Sequence, residues 1–60
     1  MNTQRAKDIS ESAAMAYVTY EGVPIYIQHV NEDKETARIF PIGNPQFEQE
    51  VLLSDLQEHF

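Results

Sequence analysis

The residues of this 60-residue chain best equipped for chemistry are two histidines, His29 and His59, three serines, Ser10, Ser12 and Ser54, and the carboxylates Glu48 and Glu50. A metal site needs three or four converging ligands. His29 has Glu32 and Asp33 nearby, but at no ligand spacing. It is expected at the end of a strand, its ring toward the core, as a half-buried structural histidine, whereas His59 is expected in solvent near the chain end. Nucleophilic catalysis needs a serine held against a histidine and an acid. No G-x-S-x-G elbow occurs, and Ser10 and Ser12 fall in a short helical segment. Glu48 and Glu50 alternate along a strand about 7 Å apart, a spacing that glycosidases use, but it is far more often that of a solvated strand face. Gly22 and Gly43 are the only glycines, and both read as turn residues, so no phosphate-cradling loop can be built. No catalytic residue, metal ligand or cofactor-binding residue is assigned.

Composition narrows the remaining classes. The length allows one small domain, residues 1–60, of modest core. There is no cysteine, which removes disulfide staples and thiolate metal sites. No apolar run approaches membrane-spanning length, and the first residues carry no secretory pattern, so an intracellular setting without a membrane partner is expected. The net charge of −6 is unevenly placed. Arg5 and Lys7 balance Asp8 and Glu11 in the first twenty residues; Lys34 and Arg38 face eight acids in the rest. Duplex DNA is therefore disfavoured as a partner, because phosphate backbones are held by clustered cations.

The pattern that positions everything else is Val18-Thr19-Tyr20-Glu21-Gly22-Val23-Pro24-Ile25-Tyr26-Ile27-Gln28-His29-Val30. It reads as a β-hairpin closed by Glu21-Gly22. A two-residue loop sets Tyr20 opposite Val23 and Val18 opposite Ile25, with Ile27 on the same face. Residues 2–14 read as a helix capped by Asn2 or Thr3, with Ala6, Ile9 and Ala13 in one stripe. Strands are expected at Ala16–Tyr20, Val23–Val30, Thr36–Ile42 and Phe47–Leu53. Ile27 opposite Ile39 brings Ala37 to the core face and pairs Tyr26 with Phe40 on the other. Phe47, Val51 and Leu53 share a face. Ser54 and Gln57 have capping-box spacing, which predicts a terminal helical turn over 54–58. Leu56 should tuck onto the sheet end, with His59 and Phe60 fraying. The fold class is α+β: a short N-terminal helix, then a four-stranded antiparallel meander over 16–53 forming a small SH3-like or Tudor-like half-barrel. Its edges need cover from the helix or a second chain.

One surface carries a binding hypothesis: Tyr26, Arg38 and Phe40, with Val30 at its margin, opposite the aliphatic core. Aromatics beside an arginine can hold a base, a peptide or a protein. The first expectation is that the N-terminal helix covers this surface and sets Ile9 and Ala13 on Tyr26 and Phe40. A homodimer interface comes next, then a ligand.

The chain as a whole resembles the H-type small acid-soluble spore proteins. The residues that carry the resemblance are Asn2-Thr3-Gln4-Arg5-Ala6-Lys7-Asp8-Ile9, Val18–Ile27, Ala37-Arg38-Ile39-Phe40-Pro41 and Val51-Leu52-Leu53-Ser54-Asp55-Leu56. The resemblance implies a spore-forming bacterium, synthesis in the forespore cytoplasm and residence in the spore core. It implies no enzymatic activity and no cofactor, and it carries no functional residues over. The α/β-type spore proteins that coat DNA are a different family, whose sequence this chain does not resemble. The leading expectation is a minor, non-enzymatic sporulation protein with a structural, storage or partner-binding role. The alternative is a small-barrel nucleic-acid-binding module that uses the aromatic and arginine surface.

Overall fold

A computed structural model describes residues 1–12 and 16–59. Helix α1 spans Thr3–Ser12, and five antiparallel strands follow: β1 Tyr17–Tyr20, β2 Val23–Asn31, β3 Thr36–Pro41, β4 Gln49–Leu52 and β5 Leu56–His59. They form a single sheet in the order β4-β3-β2-β1-β5. The sequence pattern points to four strands; the fifth replaces the helical turn expected over 54–58. Leu53–Asp55 form a 3-10 turn, after which Leu56, Gln57, Glu58 and His59 pair with Tyr20, Thr19, Val18 and Tyr17. The physical reason is the free edge of β1, whose open N–H and C=O groups the returning chain satisfies. Leu56 does turn inward and is buried.

The first hairpin forms because the turn residues accept the required backbone. Glu21 and Gly22 have φ of 51° and 81°, both positive as a two-residue hairpin turn demands. The register follows the alternation: Val18 faces Ile25 and Tyr20 faces Val23, while Ile27 faces Ile39 and Tyr26 faces Phe40. The register of β2 against β3 shifts between Ile27 and His29. This bulge changes the parity of the strand's end. Val30, expected beside the aromatic surface, is instead buried opposite Ala37, and His29, expected toward the core, is exposed opposite Arg38. Strand β4 begins at Gln49, later than expected. The Phe47 amide donates to the Asn44 carbonyl, 3.0 Å away, which holds that residue in the preceding turn. Phe47 therefore stands 61% exposed, away from Val51 and Leu53 in the core.

One face of the sheet carries Val18, Ile25, Ile27, Ala37, Ile39 and Val51, all buried. Helix α1 lies on this face, with Ala6 and Ile9 buried in the same cluster. Asn2 caps it: the Asn2 carboxamide oxygen accepts from the Arg5 amide at 2.7 Å, satisfying a donor left free in the first turn. The third residue of the expected stripe, Ala13, lies outside the described residues, as does Phe60. Docking on the aliphatic face corrects the expectation that α1 covers Tyr26 and Phe40. Ile27 and Ile39 have no polar atom to offer water, and burying each contributes about 1.5–3 kcal/mol. A tyrosine hydroxyl and a guanidinium lose less by staying wet.

Candidate functional site

With the helix on the aliphatic side, the opposite face of the sheet is left open. Tyr26 and Phe40 occupy facing positions on β2 and β3, and their rings stack with centroids 5.3 Å apart and planes inclined by 26°. Tyr26 is 49% exposed and Phe40 is half-buried. Arg38 lies two residues before Phe40 on β3, hence on the same face. It is exposed, and among the described residues it makes no ion pair. Glu50 faces it across the β3–β4 ladder but accepts a hydrogen bond from the Thr36 hydroxyl instead. The structure thus brings Tyr26 and Phe40 into contact and sets Arg38 beside them as a free cation.

The sequence reading missed a second aromatic pair. Tyr17 on β1 meets His59 on β5 edge-on, ring centroids 5.2 Å apart. Below them Thr19 is 5% exposed, and its hydroxyl shares a 2.9 Å hydrogen bond with His59 Nε2. Alternation alone could have found Tyr17, since Val18 points inward and its neighbours must point outward. His59 had no such signal, because the capping-box spacing argued against a strand there. Tyr17, Pro24 and Ile42 also line a shallow apolar groove together with Ala16 and Val18, and the Ile42 amide donates to the Pro24 carbonyl. Tyr17 and Ile42 are 58% and 64% exposed.

Charge is arranged differently on the helix side. Arg5 of α1 grips Glu58 of β5 through two nitrogens, Nε to Oε1 at 3.0 Å and Nη2 to Oε2 at 2.7 Å. Those hydrogen bonds hold the Glu58 carboxyl below the ordinary carboxylate range and raise the guanidinium pKa. Lys7 reaches Glu32 at 3.2 Å and, less closely, Glu11; the hydrogen bond to Glu32 raises its pKa. His29 lines a cleft with Lys7, Ser10, Glu11 and Glu32 at this end of the sheet. Among the described residues, no three histidine or acidic side chains converge as metal ligands would. The serines are equally dispersed in role: the Ser10 hydroxyl donates back to the Lys7 carbonyl at 3.0 Å, and Ser54 sits in the 3-10 turn. No helix among the described residues is long and apolar enough to cross a membrane.

Fold and surface together define a small α+β domain whose distinguishing exposed feature is an aromatic sheet face. The family to which it belongs is set by comparison with known proteins. The profile of the small acid-soluble spore protein H family matches residues 1–58, and the chain belongs to that family. It is 63% identical over 59 residues to small, acid-soluble spore protein H of Halalkalibacterium halodurans, covering 98% of each chain. The protein of that name from Bacillus subtilis is 64% identical over 58 residues, covering 97% of this chain and 98% of the relative. Its Bacillus licheniformis counterpart is 64% identical over 59 residues, covering 98% of this chain and all of the relative. No solved structure matches the chain. This is accordingly a sporulation protein of the small acid-soluble class.

Proposed function

We propose that this protein is a non-catalytic component of the spore core, made in the forespore, that acts by holding a partner against the open face of its sheet. The observation behind the reading is the Tyr26–Phe40 stack, left half in solvent although the chain has a helix available to cover one face. Exposed aromatic patches on small soluble domains are most often interaction sites. A purely structural or storage role would place no demand on that face. The curled antiparallel sheet, read as an SH3-like or Tudor-like half-barrel, belongs to the same proposal; small barrels commonly bind through exposed sheet surfaces.

Single-stranded nucleic acid is the second reading, favoured by Arg38, which makes no ion pair among the described residues and shares the face of two stacked rings. A base could lie on the rings with a phosphate on the guanidinium. The test of the binding reading is made in spores. A photoreactive residue replaces Ile42 at the rim of the face, and a control replaces Asp33 in the β2–β3 loop. The expected result is a discrete adduct from position 42 and none from position 33. Equal labelling from both positions, or none from 42, would remove the binding role and leave a structural or storage one.

A further inference from the structure

We infer that the occupant of the aromatic face is a second copy of this chain, an inference that rests on the binding reading above. Three features of the structure point to a second copy. The first is size. Tyr17, Tyr26 and Ile42 are 58%, 49% and 64% exposed, with Pro24 exposed and Phe40 half-buried among them, so two copies meeting there would bury on the order of 1,000 Å², the least a specific interface needs. Tyrosine, phenylalanine and arginine are also the residue types that protein interfaces favour.

The second feature is where the acids lie. The chain carries a net charge of −6, so two copies repel least when they approach by a face with few carboxylates. Glu58 is turned to Arg5 on the helix side, and Glu21, Glu32 and Asp33 sit in the connecting turns. On the aromatic face itself, Glu50 stands opposite Arg38 on the edge strand β4 and is bound to Thr36, and the Tyr26–Phe40 pair beside them carries no charge. This is the face by which two acidic copies can meet at least electrostatic cost.

The third feature weighs against a polyanion. Nucleic-acid affinity is built from several phosphate contacts. Arg5 and Lys7 are committed to Glu58 and Glu32, and Lys34 belongs to the β2–β3 loop. One arginine remains at the stack. Two apolar side chains in the neighbouring groove, Pro24 and Ile42, match a protein surface better than a phosphate backbone.

The test is sedimentation of the purified full chain over about 10 μM to 1 mM, a range that weak interfaces require. The expected mass rises with concentration from 6.9 kDa toward twice that value. Association should be stronger at 0.3 M than at 0.03 M salt, because salt screens the repulsion between copies. Tyr26→Asp, which sets a charge in the centre of the face, should weaken self-association at least tenfold. Ile42→Asp serves the same purpose at the rim should Tyr26→Asp fail to fold. A chain that stays at 6.9 kDa throughout, or variants that associate like the parent, would overturn the inference. In the monomeric case, an oligothymidylate that moves the Tyr26 and Phe40 resonances at low salt and is released at high salt assigns the face to single strands. The photo-labelling separates this failure from failure of the binding reading. An adduct to a different molecule keeps that reading and removes the second copy, and no adduct removes both.

Discussion

Ile27 and Ile39 stand 2% and 0% exposed beneath α1; their chain neighbours Tyr26 and Phe40, on the other side of the same two strands, are stacked in the open. Both pairs sit at facing positions of β2 and β3. The difference lies in what each side chain loses by staying wet. An isoleucine has no polar atom, so water gains nothing from it. The helix sets Ala6 and Ile9 in the same buried cluster, and these pack against branched aliphatics. Stacked rings already cover part of each other and present a hydroxyl to solvent. One sheet therefore supports two tasks: a covered face that holds the fold and a bare face free to serve an interaction.

Substitutions on the two faces should separate those tasks. Ile39→Ala should cost about 2–5 kcal/mol, a large part of the stability of so small a domain, with a correspondingly lower Tm. A loss under about 1 kcal/mol would show that the aliphatic face is not the core. In the hairpin that joins β1 and β2, Glu21 holds φ of 51°, a region costly to most side chains. Glu21→Asn should stabilise by about 1 kcal/mol, raising Tm by roughly 4–8 °C in a chain of this length; a lower Tm would mean the turn is formed differently. Tyr26→Ala should change stability by only about 0.5 kcal/mol, while reducing self-association. A loss as large as that of Ile39→Ala would show the aromatic face to be structural.

The smallest effect concerns the Arg5–Glu58 clamp, and it depends on pH. The folded-state pKa of Glu58 is lowered by the hydrogen bonds from Arg5. The clamp's contribution is present above the unfolded glutamate pKa and is lost as pH falls through the lower folded value. Arg5→Gln removes that contribution, so its Tm should fall less than the parent's on acidification through the glutamate range. Parallel pH profiles for the two proteins would show that the pair is solvated and contributes nothing.

Much of the sheet was legible because strand side chains alternate with period two. That rule places Val18 against Ile25, Ile27 against Ile39 and Tyr26 against Phe40 from the sequence alone, as the sheet has them. It also put Arg38 on the aromatic side. Three features escaped it for identifiable reasons. The bulge before His29 has no mark in Gln28-His29, yet it reverses the parity of Val30. Strand β5 was hidden because Ser54 and Gln57 have the spacing of a helix cap, a local signal that the open edge of β1 outweighs. The docking side of α1 is a non-local choice, decided by which face loses more when left in water, and no window of sequence contains both partners. Of the open aromatic face, Tyr26, Arg38 and Phe40 were legible; Tyr17 and His59 were not joined until β5 was in place.

The most direct measurement is a nuclear Overhauser spectrum of the full chain with assigned methyl and ring protons. The account predicts cross-peaks from the Ala6 and Ile9 methyls to aliphatic protons of the core face on β2, with none from either methyl to the Tyr26 or Phe40 rings. Cross-peaks from Ile9 to those rings would put the helix on the aromatic face, close the proposed interaction surface and contradict the division of the sheet into a covered and an open side.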